Sequence, residues 1–423
     1  MYIVVQHYAA CYYIYFKIAD CTGDYVYGNL INTMNLSFVS VFSQFKKNNA
    51  VSVLVYFSLI VFLALYAVDR TTLPVSVNFK WFGSATRILR FFILGLGILS
   101  CWFYESKLKT ALCVLFFAFS YIAHKYSGSW FLFDLFFIPL FLSKRININT
   151  VISIFFYVLA VAAIITVFLD IYNILPQLSF GKRGKFERYN LGFAHPNSLG
   201  LMLMLLGMSL ILKVKRVTFD HILALVLLGI ICMVVPNSNT SAFTLLALAV
   251  LLCLTMKFQN IKFTLTASVI IFAVLLLFFT AVIIAVYYVS LTGEFKEYIV
   301  RLPGTMWSRF SLGAEAYAKY GFSLFGQPYN PKYTNPGFFV VDCTCFYLPV
   351  FIGIIPSIVY LLLVYRAIWF SLRNSSFNLL LVQLLIFIYS VSEYIVIYPL
   401  FMFIYFNFGN ESKKGQACSN CSD

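Results

Sequence analysis

The sequence predicts an all-α, polytopic integral membrane protein, a helical bundle of about twelve transmembrane helices with a large extracytoplasmic loop. The first reason is composition, since 62% of the 423 residues are hydrophobic and only 11% are charged. A mean hydropathy of +0.89 is too high for a soluble core. The second reason is spacing, because apolar runs near the roughly 20 residues that cross a bilayer follow one another, separated by short charged connectors.

Each apolar run is predicted to be a helix, because lipid offers no hydrogen-bond partner to open backbone groups. The fourth run is short and carries Asp134 and Pro139, so we expect it to be broken or tilted. The predicted spans cover residues 49–68, 86–104, 109–124, 129–142, 150–171, 196–213, 218–235, 240–256, 263–290, 343–365, 377–392 and 395–408.

The chain is expected to have three parts. Residues 1–45 form an N-terminal segment that is either interfacial or an extra span, residues 46–409 form the transmembrane domain, and residues 410–423 form a cytoplasmic tail. Lys and Arg near span ends tend to stay on the cytoplasmic side. This rule places the compact basic connectors inside and the two longest connectors, about 172–195 and 291–342, outside.

These two outer connectors are nevertheless rich in cations. Long loops partly escape the charge bias, so the side chains are either simply solvated or part of an outward-facing anion site. Arg presents a rigid fork that matches phosphate oxygens, and the net charge of +15 suits anionic lipid surfaces and phosphorylated substrates. We expect no nucleic-acid partner, because no soluble segment carries a basic helix or an aromatic RNA-binding pattern. The outer cations are Lys182, Arg183, Lys185, Arg188, Lys296, Arg301, Arg309, Lys319 and Lys332.

The stretch RGKFERYNLGFAHPNSLG, residues 183–200, carries the strongest local signal. Pro196 is best tolerated in the first turn of a helix, which predicts that the sixth span begins at His195 or Pro196. A helix N-terminus receives anions, and Asn197 adds side-chain donors. His195 either caps the helix, or donates to a phosphate oxygen or accepts a proton from an attacking hydroxyl.

A second polar group lies further along the chain. Within residues 301–327, FSLGAEAYAKYG has the spacing of a short amphipathic helix, with Arg309 just ahead of it. Asp342 and Glu393 stand at the edges of later spans. Ionisable groups there are functional candidates, although pairing with a loop Arg would also explain them.

Together these segments resemble the Wzy-type polysaccharide polymerases, membrane enzymes of capsule, exopolysaccharide and O-antigen assembly that are related to the O-antigen ligases. The chain departs from the family pattern at Trp307-Ser308, where members often have a Thr-Gly or Ser-Gly step, and at PNSNTSAF, residues 236–243. The resemblance is carried by RYNLGFAHPNSLG at 188–200, SRFSLGAEAYAKYGFSLFGQ at 308–327, VVDCTCFYLPVFIGII at 340–355 and SEY at 392–394.

The resemblance implies a membrane glycosyltransferase that polymerises polyprenyl-pyrophosphate-linked oligosaccharide repeats at the outer face of the cytoplasmic membrane, with inversion at the anomeric carbon. It implies no cofactor, and a flippase and a chain-length regulator as partners; the residues show no carboxylate or His cluster with metal-ligand spacing. A ligase, or a flippase or other transporter of lipid-linked oligosaccharide, is the alternative. The implied catalytic residues are His195, Arg309 and Glu393, and the implied substrate-binding residues are Arg183, Arg188, Asn197, Arg301 and Asp342.

Overall fold

A computed structural model gives the architecture of most of the predicted transmembrane domain. The N-terminal segment, the twelfth predicted span and the C-terminal tail lie outside the described residues, as do Arg301 and Asp342. The structure describes residues 50–74, 80–104, 106–134, 147–176, 182–183, 186–214, 216–258, 263–292, 305–328, 341, 343–374 and 376–393.

The described chain is helical, apart from a two-residue β-hairpin, β1 (Lys182–Arg183) and β2 (Phe186–Glu187), whose strands pair antiparallel. The helices are α1 (Ala50–Asp69), α2 (Lys80–Tyr104), α3 (Lys107–Ser127), α4 (Phe131–Asp134), α5 (Ile148–Ile171), α6 (Pro196–Lys213), α7 (Phe219–Val234), α8 (Asn239–Thr255), α9 (Leu265–Thr292), α10 (Thr305–Tyr320), α11 (Thr344–Tyr347), α12 (Ile354–Arg373) and α13 (Phe377–Ser392). Beyond the start of α1, all of them belong to one compact unit, Leu54–Asp423.

The helices have the length and composition expected of a membrane protein. Among the residues that the structure describes, seven helices are long and apolar enough to cross a membrane, namely α1, α2, α3, α5, α6, α9 and α12. Helices α7, α8 and α13 are apolar but shorter. The length and composition of these helices therefore confirm the prediction of an α-helical membrane protein.

One predicted span is wrong, because the structure has a broken helix where a single continuous helix was predicted. Residues 343–365 do not make a single helix, because the one-turn α11 passes into a π-helical turn, Leu348–Ile352, and then stops at Gly353. Gly353 has φ +110°, and a Cβ there would lie 2.4 Å from the backbone nitrogen of Gly326. Helix α12 starts only after this break and ends eight residues later than the predicted span, at Arg373. The predicted fourth span is described only as the short helix α4.

Helix α6 lies at the centre of the bundle and contacts α5, α7, α8 and α13. Its close approach to α8 depends on Gly200, where a Cβ would lie 2.4 Å from Ser238 Cβ. Met204, Leu205 and Met208 are fully buried below this glycine. Small residues let membrane helices approach closely, so this contact is set by the glycine itself.

Replacing Gly200 by alanine is expected to destabilise the protein by about 1–3 kcal/mol, the usual effect of overpacking. Ser238 Cβ is not the end of a flexible side chain, so α8 itself must move. The thermal unfolding midpoint in detergent measures the change. Gly95→Ala is the matched control, since a Cβ on Gly95 in α2 meets nothing within 4 Å, and equal midpoints for the two variants would contradict the prediction.

Several helices begin or end together at one end of the bundle. The chain after α1 pairs with the loop before α6, where Thr72 N–H donates to Gly192 O at 2.8 Å. The same loop also contacts the junction between α7 and α8, where Tyr189 N–H donates to Val235 O at 3.1 Å. We call this region the polar end, and it comprises residues 70–72, 188–200, 235–241, 309 and 389–393.

Candidate functional site

His195 caps helix α6, as one of the sequence interpretations predicted. Its backbone is extended, and its ring Nδ1 accepts a hydrogen bond from Asn197 N–H at 3.0 Å. Pro196 occupies the first helical position, where its missing N–H has no effect. Because Nδ1 uses its lone pair as an acceptor, the neutral ring carries its hydrogen on Nε2. The remaining ring nitrogen is therefore a donor, which suits contact with an anion better than removal of a proton.

The environment keeps His195 uncharged. Burial, and then the positive charge of Arg188, lower its pKa from 6.5 to about 4. At neutral pH the imidazole is therefore neutral. A donor Nε2–H on a neutral ring keeps the same hydrogen-bonding character across the physiological pH range.

The shifted pKa predicts a pH-dependent stability. Since the unfolded chain protonates His195 near pH 6.5 and the folded chain only near pH 4, His195 stabilises the fold fully above pH 6.5, and this contribution is lost as pH falls towards 4. The thermal midpoint of wild type minus that of His195→Asn, a non-titrating cap, should fall between pH 7.5 and 4.5. A constant difference over this interval would show that the ring titrates normally.

Arg188 and Asn197 meet His195 at the start of α6. Arg188 Nη2 donates to Asn197 Oδ1 at 2.7 Å, and its Nε donates to the Pro236 carbonyl at 3.3 Å. The guanidinium group is thus held by two elements beside the N-terminus of the helix. In the described part of the chain the Asn197 NH₂ group makes no hydrogen bond, so it is available to position a ligand.

The loop that carries Arg188 is folded and partly buried. Phe193 is fully buried, and the Asn190 side chain donates to the Phe193 carbonyl. Ala194 N–H donates to the Arg70 carbonyl at 2.8 Å. Gly192 has φ +79° and lies directly over the end of α5. These contacts fold residues 188–194 against the ends of α1 and α5.

Arg309 and Glu393 form a buried ion pair. Arg309 Nη2 lies 2.7 Å from Glu393 Oε1, and the exposed fractions of their side chains are 12% and 5%. Arg309 is within α10 rather than just ahead of a shorter helix, because α10 starts at Thr305. Thr344 Oγ1 donates to the Glu393 carbonyl at 2.7 Å. The structure therefore confirms pairing with a loop-region Arg as one reason for an acid at this position.

Buried hydroxyl groups connect the ion pair to the start of α6. Ser238 Oγ, against Gly200, donates to Ser241 Oγ at 3.3 Å, and Ser241 Oγ lies 3.5 Å from Tyr389 Oη. Tyr389 is one helical turn before Glu393, whose N–H donates to the Tyr389 carbonyl. Sequence reasoning missed these hydroxyl groups, although the polar run at 236–243 and the four-residue Tyr-to-Glu spacing were available signals.

Of the remaining implied site residues, only Arg183 is described, through its backbone in β1, where it pairs with Phe186.

The sequence interpretation did not include Arg90, a further buried cation. Arg90 forms a buried ion pair with Asp134, and its guanidinium lies 5.3 Å from the centre of the Trp130 ring. Asp134, which lies in the fourth apolar run of the sequence, is thus neutralised by Arg90 from α2.

No three His, Cys, Asp or Glu side chains in the described ranges lie together in a way that could hold a metal ion. The chain matches no known protein family, no curated protein and no solved structure.

Proposed function

We propose that this protein polymerises polyprenyl-pyrophosphate-linked oligosaccharide repeat units into capsular polysaccharide or exopolysaccharide, as a Wzy-type (O-antigen) polymerase. The observation that supports this proposal best is the cluster of Arg188, His195 and Asn197 at the N-terminus of an apolar helix. The proposal includes about twelve spans, a cytoplasmic-membrane location, and an extracytoplasmic position for the polar end and the long outer loops.

The cluster suits a pyrophosphate leaving group. Breaking the bond from sugar to pyrophosphate places growing negative charge on the departing oxygen. The Arg188 guanidinium, the partial positive charge at the N-terminus of α6 and the His195 Nε2–H all stabilise that charge. Since Arg188 and His195 are already held by the fold, little reorganisation is needed when the charge develops.

In the proposed reaction, a hydroxyl of one lipid-linked repeat attacks the anomeric carbon of another. The new carbon–oxygen bond forms on the face opposite the pyrophosphate, which inverts the anomeric configuration. Polyprenyl pyrophosphate leaves with the bonding electron pair, and the hydroxyl proton passes to a base. Arg309 lies in the same polar end and is oriented by Glu393, which gives a second cation of fixed position for the glycan or its phosphates.

The proposal is tested with the purified full-length protein in nanodiscs and a synthetic polyprenyl-pyrophosphate repeat unit. A regular ladder of products on the lipid carrier is expected. Transfer of the glycan to a different acceptor would instead identify a ligase.

A lipid-linked oligosaccharide flippase is the second candidate, because the Arg90–Asp134 pair is an ionisable pair buried between the helices α2 and α4. In proteoliposomes a flippase moves the repeat unit between leaflets and leaves it chemically unchanged. That result would overturn the polymerase proposal.

A further inference from the structure

Asn237, in the short connection between α7 and α8, is a buried residue with a left-handed backbone, φ +49°. Residues with a Cβ adopt this conformation at a cost, and asparagine is one of the few that adopt it more readily. Asn237 belongs to PNSNTSAF, residues 236–243, where the chain departs from the polymerase pattern. Its conformation has a local reason in the contacts made by the residues just before it.

The turn at Asn237 follows the end of α7, where two consecutive carbonyl groups accept hydrogen bonds from the loop before α6. The last carbonyls of a helix have no partner within the helix. The Val235 carbonyl accepts from Tyr189 N–H at 3.1 Å, and the Pro236 carbonyl accepts from Arg188 Nε at 3.3 Å. Two neighbouring residues of the loop are thus bound to two neighbouring carbonyls beyond α7.

The backbone of Asn237 sets the direction of the Pro236 carbonyl, because this carbonyl belongs to the planar peptide unit that joins the two residues. The chain after Asn237 is fixed. Ser238 N–H donates to the Cys232 carbonyl at 2.9 Å, and Ser238 packs against Gly200 of α6. A change of φ at Asn237 therefore turns the Pro236 carbonyl away from Arg188.

Arg188 needs such an anchor because it lies beside the positive end of a helix. The N-terminus of α6 carries a partial positive charge, whereas the C-terminus of α7 carries a partial negative charge. The guanidinium group bridges the two ends, since it donates to Asn197 Oδ1 in the first turn of α6 at 2.7 Å and to the Pro236 carbonyl. The carbonyl offsets the repulsion from α6 and fixes the plane of the guanidinium group.

We infer that Asn237 is a positioning residue for Arg188, an inference that rests on the proposed polymerase function. Its left-handed turn holds the Pro236 carbonyl in place, and this carbonyl orients the guanidinium group towards the pyrophosphate. Asn237 acts through Arg188 and contacts no reacting atom in this role.

Asn237→Ala and Asn237→Gly test the inference as a matched pair. Both substitutions remove the side-chain amide, but only alanine opposes the left-handed backbone. In the nanodisc polymerisation assay, kcat/KM for chain growth should fall by on the order of 10-fold in Asn237→Ala and stay within about twofold of wild type in Asn237→Gly. The assay is run well below the thermal midpoint of every variant, so that loss of folded protein does not contribute.

Asn173→Ala is the control for the backbone cost itself. Asn173 is an exposed asparagine just after α5 with φ +55°, and it does not flank Pro236. Its substitution should leave kcat/KM unchanged. If Asn237→Ala grows chains at the rate of Asn173→Ala, the inference is overturned while the polymerase proposal stands.

Combining Asn237→Ala with Arg188→Lys separates positioning from a general loosening of the fold. A residue that acts through Arg188 should have little further effect once the planar fork is gone, so the double variant should match Arg188→Lys. A further fall by the factor seen in wild type would assign Asn237 to the fold and overturn the inference. Equal losses in Asn237→Ala and Asn237→Gly would overturn it as well, because the amide would then be the cause. Absence of chain growth in the wild-type protein would overturn the polymerase proposal and this inference together.

Discussion

Replacing Arg188 by lysine is expected to reduce kcat/KM for chain growth by on the order of 100-fold, the typical effect of removing one preorganised donor at a developing negative charge. Lysine keeps the charge but lacks the planar fork. It cannot donate to Asn197 Oδ1 and the Pro236 carbonyl in the fixed geometry that Arg188 uses. The positive charge would then remain, but it would not be held in a fixed orientation towards the pyrophosphate.

The lipid-linked repeat assay measures this effect, and single repeats should accumulate. Arg216→Lys is the control, because Arg216 is an exposed cation just beyond the opposite end of α6. The thermal midpoint should change little in either variant, because the contacts of Arg188 are only partly buried. Wild-type chain growth in Arg188→Lys would remove the oriented guanidinium from the mechanism.

The start of α6 could be predicted from sequence because its determinants are local. Pro196 selects the first helical position, His195 stands next to it as the cap, and Asn197 follows two residues later. Each of these preferences acts over less than one helical turn. The helices themselves were predictable for a similar reason, since each one satisfies its own backbone hydrogen bonds.

The inner contacts of the site could not be predicted in the same way. A helix that is apolar on all sides gives no periodic signal for the face that turns inward. Contact between Ser241 and Tyr389 therefore depends on how α8 and α13 rotate against each other. The pairing of Arg90 with Asp134 could not be predicted for the same reason, because the two residues lie 44 positions apart and meet only when their helices pack.

The break before α12 combines local and distant causes. Pro349 and Gly353 can be read from the sequence as helix breakers. A break, however, leaves backbone N–H and C=O groups without their helical partners, and these groups need other hydrogen bonds. Ile354 N–H donates to the Ser323 carbonyl at 2.8 Å, and Gln327 N–H donates to the Phe351 carbonyl at 3.1 Å. A segment outside the predicted span thus makes the break possible, which is why hydropathy alone predicted one continuous helix.

The ion pair of Arg309 and Glu393 also joins residues that are far apart in the sequence, and both of its side chains are buried. Glu393→Gln is expected to lower the free energy of unfolding by about 3–5 kcal/mol, because it leaves a buried guanidinium without a counter-charge. The thermal midpoint should fall by several degrees. Glu315→Gln, an exposed position on the same helix as Arg309, is the control and should leave the midpoint unchanged.

A double variant, Arg309→Met with Glu393→Met, separates the structural role of this pair from a role in catalysis. Replacing a buried pair by hydrophobic side chains of similar volume is often neutral for stability, so the double variant should recover most of the midpoint lost in Glu393→Gln. If Arg309 also contacts the glycan phosphates, the recovered protein should still fail to extend the polymer. Recovery of both stability and chain growth would show that the ion pair only stabilises the fold. The phosphates would then be bound by the Arg188 cluster without Arg309.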